Sequence, residues 1–225
     1  MTRTVPEAAG PVVVTSIDSL TELLAVDGVS EELDLRSGVG VLALHGGGLE
    51  RATDVVAREV ASRTDSSFYA LVQPDGSRRH LSSTRFVTGV SERLDAFLQK
   101  VDTVMSIHGY GRHDDFWAVL VGGANRPLAH HVAGHLRATL PEEYRVVDDV
   151  YAMPRSLRGL HPDNPVNHRA GGGVQVELPP SIRWNRDHRD WSDHNGTPRS
   201  EHLELLIGGL AAALADLPAS DPTAL

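Results

Sequence analysis

The sequence predicts an α/β fold, a three-layer α/β/α arrangement around a mixed, largely parallel sheet. Three observations carry this expectation. Unbroken aliphatic runs such as "VGVLAL" (39–44) suit strands covered on both faces, as a sheet between two helical layers requires. Such runs alternate along the chain with segments of helical period. The chain has 225 residues, 40% hydrophobic and 23% charged, an ordinary globular composition and long enough for a full core. A single domain over 1–225 is expected, with loose Pro/Ala-rich ends at about 1–10 and 218–225.

Taken in order, strands are expected at 11–17 (PVVVTSI), 39–45 (VGVLALH), 67–73 (SFYALVQ), 101–108 (VDTVMSIH), 117–122 (WAVLVG), 145–149 (RVVDD) and 173–178 (GVQVEL). Helices are expected at 50–63, 91–100, 126–140 and 199–217. The last is the clearest, because Leu203, Ile207, Leu210, Leu214 and Leu217 recur at spacings of 4, 3, 4 and 3 on one helical face. Asn125 followed by Pro127 marks the start of the third. Two segments, 150–172 and 179–198, lack periodicity and are rich in Pro, Asn, His and Arg. Loops of that length inside a compact fold are usually functional or disordered.

Composition excludes several functions. The formal net charge is −9, with no Lys/Arg cluster to neutralise phosphates, so no nucleic-acid partner is expected. The chain has no cysteine, which removes disulfides, thiolate catalysis and Cys-based zinc sites. No apolar run approaches the ~18 residues of a membrane helix. The N-terminal "MTRTVPEAAGPVVVTS" lacks the apolar core of a signal peptide. No membrane association and a cytoplasmic location are therefore expected. Twelve histidines is a high count that points towards metal chemistry.

The stretch "VGVLALHGGGLE" (39–50) admits two chemistries. An HGGG oxyanion loop needs a nucleophile elbow of the form G-x-S-x-G, and the serines after glycine, in "GVSEE", "GVSER" and "DGSRR", do not supply one. A metal site needs only the side chains already present. His45 ends one expected strand and His108 another, each followed at once by glycine. Ligands in open α/β sheets lie outside the carboxyl ends of the strands. Glu50 opens the helix expected at 50–63, and a glycine turn can fold it back beside His45. Singly, His45 reads as a core histidine and Glu50 as a helix-start carboxylate. Jointly with His108 they form two His and a carboxylate, the common shell of a catalytic zinc with an open position.

The strand "GVQVEL" places Val174, Val176 and Leu178 on one face and Gln175 and Glu177 on the other. Glu177 then faces either a cleft or solvent. A general base is what a zinc hydrolase further requires.

The set "LHGGGLE", "SIHG", "VGGANRPL" and "NHRAGGGVQVELPPSIR", in this order, resembles the poly-γ-glutamate hydrolase family, zinc amidohydrolases of zinc-carboxypeptidase-like fold. The resemblance runs through most of 39–183. It implies that His45, Glu50 and His108 hold zinc and that Glu177 is the catalytic carboxylate. It also implies that Arg183, with Arg169 and Arg112 as further candidates, binds substrate carboxylates. The function it implies is hydrolysis of amide bonds in poly-γ-glutamate or a related glutamyl or peptide substrate. The alternatives are a zinc-dependent deacylase of N-acyl amino acids or small esters, and an inactive binding module of the same fold. On a chain of charge −9, a polyanionic substrate requires arginines that make the cleft locally positive.

Two further histidine groups remain. His131 and His135 in "LAHHVAGHL" stand at i, i+4, a spacing that can bind zinc, but with no partner ligand in view they read as boundary or surface residues. The loop "RDHRDWSDH", with Asp187, His188, Asp190, Asp193 and His194, reads as a polar loop near the cleft.

Overall fold

The computed structural model describes residues 14–112 and 114–217. Seven strands form the main sheet: β1 (Ser30–Asp34), β2 (Val39–Gly47), β3 (Ser67–Gln73), β4 (Thr103–Gly109), β5 (Ala118–Gly122), β6 (Arg145–Val147) and β7 (Val174–Leu178). Their order across the sheet is β1-β3-β2-β4-β7-β5-β6. The central strands β3, β2, β4 and β7 run parallel. Strand β1 is antiparallel to β3 at one edge, and the β5–β6 pair runs opposite to β7 at the other. The expected mixed, largely parallel sheet is what the chain forms.

Among the described residues, six α-helices accompany it: α1 (Leu20–Leu24), α2 (Thr53–Arg63), α3 (Glu92–Lys100), α4 (Arg126–Thr139), α5 (Pro180–Arg183) and α6 (Glu201–Ala215). On one face of the sheet, Val41, Ala43, Met105, Ile107, Val121, Val174 and Val176 pack against α2, α4 and α6. On the other, Leu42, Leu44, Tyr69 and Leu71 pack against α1 and α3. Strand residues thus divide by parity between two cores, which is why the aliphatic runs are unbroken in the sequence. Helix starts follow the capping rules: Ser91, Asn125 and Ser200 each accept a hydrogen bond from the backbone N–H three residues on.

The structure corrects several expectations. Helix α2 begins at Thr53 rather than at 50, so Glu50 lies in the turn before it, a difference that matters for the site. The strand expected at 11–17 does not join the main sheet. Only Thr15–Ser16 is extended, pairing parallel with Arg79–His80, and 11–13 lie outside the described residues, as do the expected loose ends. Strand β1 (SEELD) went unread because an edge strand needs only one half-buried face; Leu33 supplies it, and the acidic side chains protect the open edge from further pairing. Helix α1 is too short for a period, although Ser19 with Glu22 is a legible start signal. Among the described residues no helix is long and apolar enough to cross a membrane.

Candidate active site

The site forms where β2 and β4 part. Their ladder runs from Val39↔Thr103 to Leu42↔Ser106 and then stops, leaving a crevice at the carboxyl ends of both strands. In β4, Met105 and Ile107 enter the α2/α4/α6 core, so Ser106 and His108 face the other side. Strict alternation in β2 would send His45 into that same core with Val41 and Ala43. A bulge prevents this: the pairing with β3 steps from Ala43↔Ala70 to Gly46↔Val72, three residues against two. The extra residue re-aims the strand, so that Leu44 and His45 both lie on the crevice side. The His45 ring then meets that of His108 edge to face, 5.0 Å between centroids.

Glu50 returns through a tight turn. Gly47 has φ of +66°, and a Cβ there would stand 2.2 Å from the Gln73 carbonyl oxygen, so only glycine fits. The Glu50 N–H donates to the His45 carbonyl at 2.9 Å, closing the loop. Its carboxylate then lies between the two rings: Oε1 is 2.9 Å from His45 Nδ1, and Oε2 is 3.5 Å from His108 Nδ1. The Gly109 N–H donates to Oε2 at 2.8 Å.

The outer nitrogens are engaged elsewhere. His45 Nε2 donates to the Leu81 carbonyl at 2.9 Å, and His108 Nε2 is 2.9 Å from Ser106 Oγ. Because a carbonyl can only accept, His45 carries its N–H on Nε2, which leaves Nδ1 to hold a second proton or a metal. One donor atom from each of His45, Glu50 and His108 lies within 4.8 Å of the others. Two neutral-capable imidazoles with their second nitrogens anchored, and a carboxylate fixed by a backbone N–H, fit a divalent transition metal such as zinc.

Glu177 stands beside this group. It is in register with His108 across the β4–β7 ladder and is 3% exposed. Gln175 Nε2 donates to Glu177 Oε1 at 2.8 Å, and Asn164 Nδ2 in turn donates to Gln175 Oε1 at 2.8 Å, so the carboxylate is held from one side. Burial pushes its pKa up to about 7, against His108, which lowers it, and with Glu50, which raises it further. The opposite holds for Glu50: burial raises it, yet His45 and His108 hold it well below the usual carboxylate range. For His45, burial lowers the pKa, but Glu50 outweighs this and raises it. Two buried carboxylates are thus driven apart, one kept ionised and one near neutrality.

His45, Glu50, His108 and Glu177 line one cavity of about 810 Å³. The sequence reading missed its remaining wall. Ser82, Ser83 and Thr84 belong to it, and so do Arg155, Arg158 and His161. The signal available was the aperiodic, Pro- and Arg-rich segment 150–172.

None of the three arginines singled out from the resemblance is among the residues that line this cavity. Arg183 is buried outside the cavity lining. Its Nη1 donates to the Arg51 carbonyl at 3.0 Å and its Nη2 to the Tyr110 carbonyl at 2.9 Å, while the guanidinium lies over the Trp191 ring. Burial lowers its pKa to about 10. It braces the backbone next to Glu50 and just beyond His108, close enough for the Glu50 and Glu177 carboxylates to act on its charge. Arg169 bonds the Gln99 and Val101 carbonyls at the end of α3, by the amino end of β4 and thus the far end of that strand from His108. Arg112 is exposed on the loop after β4 and does not line the cavity. The loop around His188 and His194 also stays off the cavity: His194 Nε2 lies 2.8 Å from Asp75 Oδ2, and Trp184–Asn185 pairs with Asp190–Trp191.

Comparison with known proteins places this geometry. A model of the family described as poly-gamma-glutamate hydrolase matches residues 19–202. The SPbeta prophage-derived protein YoqZ of Bacillus subtilis (strain 168) is 32% identical over 195 residues, covering 75% of this chain. YndL of the same bacterium is 31% identical over 150 residues, covering 65% of it. The chain spans 65% and 55% of the length of these two curated relatives. A bacteriophage poly-gamma-glutamate hydrolase has the same fold, with a TM-score of 0.71 at 25% identity over 86% of this chain and 92% of that one. A zinc-free form of YndL has a TM-score of 0.72 at 22% identity over 88% and 96%. With the family model matching residues 19–202, most of its length, the chain belongs to the poly-gamma-glutamate hydrolase family.

Proposed function

We propose that the chain is a zinc-dependent amidohydrolase that cleaves amide bonds in poly-γ-glutamate or a related glutamyl or peptide substrate. The observation that carries this reading is Glu177, a buried carboxylate in register with His108, on the same cavity wall as His45 and Glu50. That the solved structure of the relative YndL is described as apo and zinc-free supports the choice of metal. Zinc held by His45, Glu50 and His108 would supply a Lewis acid that acidifies a water molecule and polarises the scissile carbonyl.

The chain's own groups do the rest. Glu177, basic enough near neutrality to accept a proton, takes it from the attacking water and delivers it to the leaving nitrogen. Gln175 holds one carboxylate oxygen and leaves the other for this transfer. Arg155 and Arg158 are among the residues that line the cavity and supply the local positive charge that a chain of charge −9 needs to admit an acidic substrate.

The test is a Glu177→Gln variant assayed for zinc content and for amine release from a γ-linked glutamate polymer. Zinc content is expected to stay near that of the wild type while kcat falls about 10²–10⁴-fold, the range for lost general acid–base catalysis. Near-wild-type turnover with zinc retained would overturn the assignment of Glu177. Loss of neither zinc nor activity in His45→Ala would overturn the metal set.

A further inference from the structure

We propose a second transition-metal site, on the opposite face of the sheet from the cleft, formed by His131 and His135 of α4 with Asp216 at the end of α6. The two histidines stand one helical turn apart, their ring centroids 4.7 Å from each other. In sequence they lack a third ligand. The tertiary structure supplies it, because α6 packs along α4 and the chain leaves α6 at Asp216. The Asp216 carboxylate comes to 3.5 Å from His135 Nε2, and one donor atom from each of the three residues lies within 4.8 Å of the others. They form one of two such groups among the described residues, the other being the cleft.

The His135–Asp216 spacing is compatible with a shared ion. Two ligand atoms bound to a tetrahedral zinc at about 2.0–2.1 Å stand roughly 3.4 Å apart, close to the His135–Asp216 separation and longer than a good charge-assisted hydrogen bond. The site is also held in place. The Ala213 carbonyl of α6 accepts from His131 Nε2 at 3.0 Å, which pins that ring against the helix. Leu128, Val132 and Leu136 of α4 and Leu210 and Leu214 of α6 share one apolar core, so the two backbones cannot drift apart. Two imidazoles and a carboxylate suit Zn²⁺, Ni²⁺ or Cu²⁺, whereas Ca²⁺ and Mg²⁺ require oxygen ligands. With Asp216 exposed and further positions left to water, this site binds more weakly than the buried cleft group. An ion there ties the end of α6 to α4.

The experiment is calorimetric titration of the chelator-treated full chain with ZnCl₂, with thermal unfolding followed in parallel. The wild type is expected to take two zinc ions, a tight one and a weaker one. His135→Ala loses the weaker event and with it the part of the thermal shift that appears only at excess zinc. Asp216→Asn, an exposed change that leaves the fold alone, weakens that event by about tenfold or more. His45→Ala retains the weaker event, so the site stands or falls independently of the cleft. A single event in the wild type that persists unchanged in His135→Ala overturns the proposal. So does a second event that survives unchanged in both His135→Ala and Asp216→Asn.

Discussion

At the residue scale, the chemistry of the cleft is set by which atom each side chain leaves free. The Leu81 carbonyl takes His45 Nε2, Ser106 engages His108 Nε2, and Gln175 occupies one oxygen of Glu177. What remains unclaimed converges on one cavity. The same accounting separates the arginines. Arg183, through Nη1 and Nη2, and Arg169 bond backbone carbonyls, whereas Arg155 lines the cavity. A charge-assisted hydrogen bond to a substrate carboxylate contributes about 1.5–3 kcal/mol, so Arg155→Ala should raise KM on a γ-linked glutamate oligomer roughly 10–100-fold with kcat little changed. Arg169→Ala should leave both constants alone. Kinetics of the two variants on one substrate decide it, and the reverse pattern would reject the assignment.

At the scale of elements, the turn between β2 and α2 is the part with least freedom. Gly47→Ala forces a left-handed residue against the Gln73 carbonyl and should destabilise the fold by about 1–3 kcal/mol. Gly208, inside α6 with open space around it, is the control: Gly208→Ala should stabilise by about 0.5–1 kcal/mol through helix propensity. Urea midpoints of the two variants should move in opposite directions.

Helices α2 and α6 are also joined by charge. Arg63 bonds Glu204, and Arg199 bonds both Glu204 and Glu59. Hydrogen bonds from Arg199 to Glu59 and from Arg63 to Glu204 hold both carboxylates below their ordinary pKa. Their contribution is therefore complete above the unfolded carboxylate range of about 4.3 and is lost as pH falls through the lowered folded values. These groups are partly exposed and screened, so each pair adds no more than about 1 kcal/mol. Thermal melts from about pH 6 to pH 3 should show a shallower decline in Glu204→Gln than in the wild type. Parallel slopes would mean that the network adds nothing.

At the scale of the whole molecule, the two apolar cores and the cleft are separate. The helices cover both faces of the sheet, and the cleft residues sit where β2 and β4 diverge at one end. His45, Glu50 and His108 are anchored by the protein itself, through the Leu81 carbonyl, the Gly109 N–H and the Ser106 hydroxyl. Chelation should accordingly abolish hydrolysis, and zinc should restore it, while the circular dichroism spectrum stays unchanged and the melting temperature falls by only a few degrees. Collapse of the helical signal on chelation would show that the metal holds the fold together.

The sequence by itself determined the strand-and-helix alternation, the parity of "GVQVEL" that turns Glu177 away from the core, and the pairing of His45 with His108 at strand ends. These are local properties, written in period and in residue type. Period alone would have sent His45 into the α2/α4/α6 core, because a two-residue alternation carries no sign of the bulge that turns it. Only the pairing of β2 with β3 decided that. Tertiary structure also decided which arginines face the cavity, since a guanidinium goes wherever unpaired carbonyls or open space lie, and neither is visible along the chain. The third partner of His131 and His135 is likewise supplied by packing, from a residue some eighty positions away that only the contact between α4 and α6 brings near.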